Sequence, residues 1–413
     1  AELLASSAER AIARIDLPAA ASMLTRAVDL VPEDGRRRVE LLTDLGATLN
    51  RIGDYGHAEK VLLDAVDRGT AVGDDLLRSR ARLDLWWTRT TTGGPSVLSQ
   101  MPPEIGEILP ILERHADDLG LTKAWQLLAQ SDEVACRYDS MREPLERALV
   151  YARRAGDRLE EAEVMWSLMY ACVCGSEPAP EGVRRCEEIL RQVKGDRRVE
   201  ASVNDNRALL QAMLGNFQEA RATFLRSRET LQDLGVLYYA YNAALGLGSV
   251  EMLAGDPVAA ERTFRTGFDT AQRPGNAYLW DPLTACLAQA VCAQGRFDEV
   301  LAIVADASKD TGESVRAGLF LRSAKAKALA GIGDLDQAQE LIDQAVVLAD
   351  ETEAINLQGD IQMDAAEVFI AAGRTPEAQA ALENACLLYE RKGNVVSGDR
   401  ARATLQGLRV GNG

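Results

Sequence analysis

The chain has 413 residues, 47% of them hydrophobic, with 46 Lys and Arg against 63 Asp and Glu for a formal charge of −17. Such an acidic chain repels phosphate backbones at long range, which argues against nucleic-acid binding. No run of 18 apolar residues occurs, the most apolar stretch being 164–174, so no membrane-spanning helix is expected.

Leu, Ala, Glu, Arg and Asp dominate and runs of β-branched residues are nearly absent, which points to an all-α fold. The chain opens on Ala1 with no charged-then-apolar leader and reads as a segment of a longer, cytoplasmic protein. Seven cysteines (Cys136, Cys172, Cys174, Cys186, Cys286, Cys292, Cys386) are odd in number and irregularly spaced. They read as small apolar residues in a reducing compartment rather than as disulfides or a zinc site.

In chain order, apolar periodicity predicts a helix pair at 2–14 and 17–31, with a glycine-free turn at Ile15-Asp16-Leu17. A full signal follows at Gly53-Asp54-Tyr55 with Ala58. Leu42, Leu45, Gly46 and Leu49 precede it on one helix face, and Ala58, Leu62 and Ala65 follow on the next. Spacings of three and four give each helix one apolar face. Gly ends the first helix in the left-handed conformation, Asp caps the second, and the small residue five places after Gly lets the helices approach.

Between 71 and 200, pairs are placed by periodicity alone: 74–90 with 104–119, 121–137 with 141–156, and 158–174 with 180–194. The first has an irregular connection at 91–103 containing Gly93, Gly94, Pro95, Pro102 and Pro103. The turn signal then returns at Gly215, Gly255, Gly295, Gly333 and Gly373, at intervals of 40, 40, 38 and 40 residues, with Ala220, Ala260, Val300, Ala338 and Ala378 five places on. A lone helix at 394–408 caps the array.

This pattern resembles the tetratricopeptide repeat family in a form of about 40 residues. The resemblance implies an α-solenoid of about ten antiparallel helix pairs with a C-terminal capping helix. Its expected parts are N-terminal repeats at 1–70, degenerate repeats at 71–200, regular repeats at 201–392 and a cap and tail at 393–413, in one continuous superhelix. The strings Val250 to Pro257 with Ala259-Ala260-Glu261, Ala293 to Glu299 and Leu388 to Asn394 further resemble the C-terminal region of large bacterial signalling proteins. Those carry a STAND-type or AAA-type ATPase with a cyclase or LuxR-type output domain. The likeness implies a sensor arm attached to an upstream NTPase domain.

No phosphate-binding loop, nucleophile elbow or zinc-binding helix motif occurs, and no cofactor, metal site or enzymatic activity is expected. His57 and His115 lack ligand partners at spacing, and acidic pairs such as Glu160/Glu161 and Glu187/Glu188 read as solvated faces. What remains is recognition. In the family the first helix of each pair lines the concave groove; counting back from each turn gives Glu40, Thr43, Asn50, Asp205, Asn242, Ser249, Gln289, Ser323, Lys327, Asp360 and Glu367. This mixed, slightly acidic set suits a neutral or basic protein or peptide partner. Arg82, Trp86 and Arg89 share one helix face and form a second candidate, with one of Trp86 and Trp87 in the core.

Polar residues also stand where an apolar stripe is expected: Asn204, Arg207 and Gln211 before Gly215, and Arg322 and Lys325 before Gly333, with Asp364 as a partner for Arg322. Two alternatives are a small effector near Tyr238, Tyr239, Tyr241, Tyr278 and Trp280, and self-association as a homodimer.

Overall fold

A computed structural model describes residues 1–413 other than 15, 93–94, 99, 234–238, 271–276, 311–313 and 412–413. At 13, 91, 95–96, 239–242, 269–270, 277–281, 308–310 and 411 it describes the backbone alone. The described residues are all-α and fall into ten successive pairs and a final single helix. They are α1 (Glu2–Ala13) with α2 (Leu17–Asp29), α3 (Arg36–Ile52) with α4 (Tyr55–Val72), and α5 (Asp75–Thr92), a short α6 (Pro95–Leu98) and α7 (Met101–Arg114). Next come α8 (Asp118–Val134) with α9 (Arg142–Ala155), α10 (Arg158–Cys174) with α11 (Ala179–Gln192), α12 (Arg197–Met213) with α13 (Phe217–Asp233), and α14 (Tyr239–Ala254) with α15 (Pro257–Thr270). The last are α16 (Ala277–Cys292) with α17 (Phe297–Asp310), α18 (Val315–Ile332) with α19 (Leu335–Asp350), α20 (Ile355–Ala371) with α21 (Thr375–Lys392), and the lone α22 (Val395–Gly411).

The turn chemistry read from the sequence is the chemistry observed. Gly53, Gly215, Gly255, Gly295, Gly333 and Gly373 all have positive φ, between 69° and 95°. Asp54, Asp256 and Asp334 accept the backbone N–H three residues on, satisfying a donor that the helix start leaves free. Ala58, Ala220, Ala260, Val300, Ala338 and Ala378 are all fully buried, at the point where the two helices of a pair touch.

Among residues 71–200 Gly73, Gly156 and Gly195 also take positive φ, but two turns are made without glycine. Ala116 ends the α7 segment at φ 50° and Cys136 ends the α8 segment at φ 54°. A side chain in this conformation costs about 1–2 kcal/mol. Ala116→Gly is therefore expected to stabilise the protein by about 1 kcal/mol, read as a higher urea midpoint at unchanged slope. Helix α8 starts at Asp118 rather than at 121, and α7 stops at Arg114 rather than at 119, because Asp117 turns the chain and caps α8 through Gly120 N–H.

Beyond the first pair, first helices carry more described buried residues than their partners: eleven on α12 against five on α13, and ten on α20 against six on α21. Helices α3, α12 and α18 each pack on their own partner and on a neighbouring first helix, which leaves their partners on the outer side. The approach is close where the first helix is small. A Cβ on Gly248 of α14 would lie 2.1 Å from the ring of Phe264 on α15.

The contacts group the chain into two compact units: residues 1–131, 144–160 and 273–278 in one, and 132–143, 161–272 and 279–413 in the other. This grouping follows packing, whereas the four parts expected from the sequence follow repeat regularity. Within the larger unit the stacked pairs wind back onto themselves. Helix α22 packs on α12, and Arg400 of α22 donates to the carbonyl of Leu253. Glu353 receives the N–H groups of Asp139 and Ser140, both at 2.9 Å. Lys392 donates to the carbonyls of Cys172, Gly175 and Glu177 at 2.6–2.9 Å.

Candidate binding site

In the smaller unit the expected groove residues are engaged within their own helix or, for Asn50, with the next repeat. Asn50 is 8% exposed; it accepts from the Thr88 hydroxyl at 2.9 Å and donates to the carbonyl of Asp84. Asp84 in turn pairs with Lys123 of the next first helix. One polar link per repeat thus runs α3 to α5 to α8. Thr43 is buried and returns its hydroxyl to Val39, and Glu40 pairs with Arg37 at 2.8 Å.

The second candidate is a clamp inside the same unit. Trp86 lies in the core at 3% exposure, and it is Trp87 that is half-buried. The Trp86 indole N–H donates to Glu104 at 3.0 Å, and Arg82 donates to the same carboxylate at 2.8 Å. Arg89 lies over the Trp86 ring at 5.7 Å and pairs with Glu59 at 3.1 Å. Burial acts to raise the Glu104 carboxyl, but the Arg82 and Trp86 hydrogen bonds outweigh it and hold the group below its usual range. These side chains join α5 to α7 and α4, and Trp86 is the indole of the two that lies in the core.

The larger unit holds the other candidates. Asp205 is 5% exposed on α12, and burial pushes its carboxyl up to about 7 despite a hydrogen bond from Ser227. Ser227, Asn204, Arg197, Glu200, Thr223 and Arg226 line a polar cavity of ≈ 180 Å³ between α12 and α13. Ser249 bonds back to Leu245 O within α14. Asn242 and the aromatic group Tyr238, Tyr239, Tyr241, Tyr278 and Trp280 lie outside the described side chains.

Gln289, Lys327 and Glu367, from three consecutive first helices, are brought together. The Gln289 amide on α16 donates to Ser323 Oγ at 2.7 Å, to Phe320 O at 3.0 Å and to Asp364 at 3.2 Å. Lys327 on α18 pairs with Asp364 on α20 at 2.5 Å and stands 3.7 Å from Glu367. Burial opposes the Lys327 charge, but the Asp364 and Glu367 carboxylates raise its pKa above the ordinary lysine value. Asp364 therefore serves Lys327, not Arg322; Arg322 and Lys325 are half-buried on α18, and Arg207 pairs with Glu219 at 3.1 Å.

One helix turn apart, the same stripes continue. Cys286 precedes Gln289 on α16, and Asp360 precedes Asp364 and Glu367 on α20. The Asp360 carboxyl accepts the Tyr389 hydroxyl at 2.6 Å and is pushed by burial up to about 6. On α18 a spacing of seven carries the Ser323–Lys327 stripe back to Arg316, which the turn-based count does not reach. Trp166 and Tyr170, four apart on α10, are stacked at 5.1 Å with rings 8° from parallel and are half-buried. The i, i+4 spacing of these aromatics is the signal that could have found them.

All seven cysteines are free thiols, and burial pushes Cys172 and Cys186 up to about 12. His57 and His115 stand exposed beside Asp54 and Asp75. Among the described residues no group of three His, Cys, Asp or Glu is placed to hold a metal ion, and no helix is long and apolar enough to cross a membrane.

No protein-family model matches this chain, and no curated protein does. Among solved structures it is similar to a Rap protein complexed with Competence and Sporulation Factor, at 12% identity over 90% of this chain and 98% of that one, with a TM-score of 0.49. It is also similar to yeast Tom70 (13% identity, 98% and 96% covered, TM-score 0.36). A third is a tetratricopeptide repeat protein from Parabacteroides merdae ATCC 43184 (14%, 84% and 92%, TM-score 0.31). The site rests on the side chains described above.

Proposed function

We propose that this chain is a recognition module, not a catalyst, and that it receives a peptide or a segment of a protein on the first-helix face of its larger unit. The observation that carries this is the stripe Gln289, Ser323, Lys327, Asp364 and Glu367. It places polar groups of both signs on three consecutive helices, joined by hydrogen bonds. Packed helices stand about 8–10 Å apart, close to three residues of an extended chain. A strand laid across the stripe therefore meets one polar station about every third residue. Lys327 is neutralised by Asp364, which leaves exposed Glu367 as the charge offered outward; a basic or neutral segment fits it.

The resemblance of the C-terminal strings to signalling-ATPase arms supports a finer reading, in which the module restrains or releases an NTPase domain of the same protein. A ligand preferring one arrangement of the stacked pairs would shift that balance.

The test is capture of partners from the native cytoplasm by wild type, by Glu367→Lys, and by Asp336→Lys as an outer-helix control. The partner held by wild type and by the control is expected to fall about tenfold with Glu367→Lys, of the order for loss of one interfacial charge contact. Equal capture by all three proteins removes the assignment of this face.

A further inference from the structure

Helices α12 and α13 meet across a polar seam that the repeat itself does not require. Twelve places after each turn glycine the second helix presents a small residue to the first. Ala65, Gly267, Ala307, Ala345 and Ala385 stand there, all buried. After Gly215 the residue is Ser227, 4% exposed, and its hydroxyl donates to the buried Asp205 carboxylate. Packing needs neither group, and a buried carboxylate costs stability. Departures from what a fold asks of its sequence gather at functional sites.

Ser227 and the buried Thr223 form the floor of the cavity of ≈ 180 Å³ between the two helices. Glu200 and Asn204 form a half-buried wall, and Arg197 and Arg226, one from each helix, stand exposed at the rim. Much of this polar surface is uncommitted. Arg226 donates to the Thr223 hydroxyl at 3.2 Å and meets no carboxylate among the described residues. Arg197 stands 3.3 Å from Asp233 in an exposed pair, which contributes little. Glu200 accepts the Gly195 N–H at 2.7 Å through Oε1, which leaves Oε2 open to the cavity. The Asn204 amide has no described partner.

The two guanidinium groups, the Thr223 hydroxyl and the Asn204 amide supply donors for an oxyanion. Two cations against one lining carboxylate favour an anion locally, even in a chain of charge −17. The acceptors narrow the choice. Ser227 has turned its proton toward Asp205, and Glu200 carries a free oxygen, so the anion must itself bring a proton. At neutral pH hydrogen phosphate does so: it has oxygens for the arginines and one P–OH to donate. Sulfate has the same shape and charge but sets only lone pairs against Glu200. A phosphate monoester loses its second proton near pH 6 and lacks the donor too.

We propose that the cavity between α12 and α13 binds inorganic hydrogen phosphate, with its oxygens held by Arg197, Arg226 and Thr223 and its hydroxyl donated to Glu200. The site lies between the helices of one pair and is independent of the peptide reading of the Glu367 face.

The experiment titrates sodium phosphate, sodium sulfate and methyl phosphate into the whole chain at pH 7.5 in chloride buffer, followed by calorimetry. Backbone amide shifts at 197–204 and 223–230 place the bound ion. Phosphate is expected to bind about tenfold tighter than either of the others, of the order of one charge-assisted hydrogen bond. Glu200→Gln, whose amide still accepts from Gly195 but can also donate to an oxyanion, is expected to bring phosphate and sulfate to near parity. Arg226→Gln is expected to weaken phosphate binding about tenfold. Arg226 is exposed, so this variant and the sulfate arm decide the matter if Glu200→Gln does not fold. Glu367→Lys is expected to leave all three affinities unchanged.

Absence of saturable phosphate binding overturns the proposal. Equal binding of phosphate and sulfate by wild type means an adventitious ion only and overturns it as well. So does a preference that survives Glu200→Gln, or methyl phosphate bound as tightly as the free ion, since neither would need the P–OH donor.

Discussion

Lys392→Met is expected to destabilise the larger unit by about 3 kcal/mol, the range for removing one partner of a buried charged contact. Lys392 is fully buried at the end of α21. Its three ammonium donors meet three carbonyls, those of Cys172, Gly175 and Glu177, at the end of α10 and in the residues beyond. Helix C-termini leave carbonyls without intrahelical partners and carry partial negative charge, so a cation there satisfies both needs. Burial pulls the lysine down to about 8, which leaves the ammonium intact at neutral pH. Methionine fills similar volume but orphans three acceptors, and relief of the buried charge offsets part of that loss.

The same end of α10 is held from other sides. Asp139 receives Ser176 N–H at 3.0 Å, and Glu177 pairs with Arg142 at 2.7 Å and Arg185 at 3.1 Å. Local damage should therefore reach the packing of residues 172–177 against α21 first. Urea denaturation at pH 7 checks the magnitude, and amide exchange at 172–177 checks the place. An unchanged urea midpoint would show that the carbonyls find other donors and that this junction adds little to the fold.

The parts of this fold that the sequence disclosed are those set by local chemistry. A glycine at positive φ with a small residue five places on, joined at three of the six turns by an Asp cap, specifies a helix hairpin within about ten residues, and all six sites were placed from these turn residues. Where Cys136 takes the left-handed position between α8 and α9, the signal vanishes while the hairpin persists, because packing of the flanking apolar faces outweighs about 1–2 kcal/mol of local strain. That is why residues 71–200 read as irregular. Contacts made across some 215 residues, such as Lys392 with Glu177 or Glu353 with Asp139, have no local signature at all. Their existence depends on how the small rotations between repeats add up.

The site was legible in part for a related reason. Periodicity locates the face of a first helix but not how far it stands from its neighbours. Asn50, Thr43 and Asp205 lie on first helices and are nevertheless buried, because adjacent repeats close over them. Gln289, Lys327 and Glu367 hold together because Asp364 accepts from both of the first two. Trp86 shows the converse: a pattern that reads as a binding hot spot is a core indole hydrogen-bonded to Glu104.

Asp205→Asn is expected to stabilise the protein by up to about 4 kcal/mol at pH 8 and by about 1.7 kcal/mol at pH 5. Asp205 sits on the inner side of α12 with Oδ1 buried and unpaired, and burial, against the Ser227 hydrogen bond, holds its carboxyl up at about 7 rather than 3.8. A raised carboxyl keeps its proton in the folded chain at pH values where the unfolded chain has lost it. Stability from this group is therefore present below pH 4 and falls as the pH rises toward 7, by about 1.4 kcal/mol for each unit between the two pKa values. Asparagine supplies the neutral group at every pH and can still bond Ser227, so it removes the penalty. Asp360 and Asp44, both pushed up to about 6 mainly by burial, add slope of the same sign, but the difference between wild type and variant isolates Asp205. Paired urea titrations at pH 5, 6, 7 and 8 give that difference directly. A gap that widens with pH supports a buried carboxyl forced to ionise against its surroundings; a gap that is flat across the series means that water entering by the polar cavity beside Ser227 already solvates Asp205, and that the charge sits on α12 at no cost.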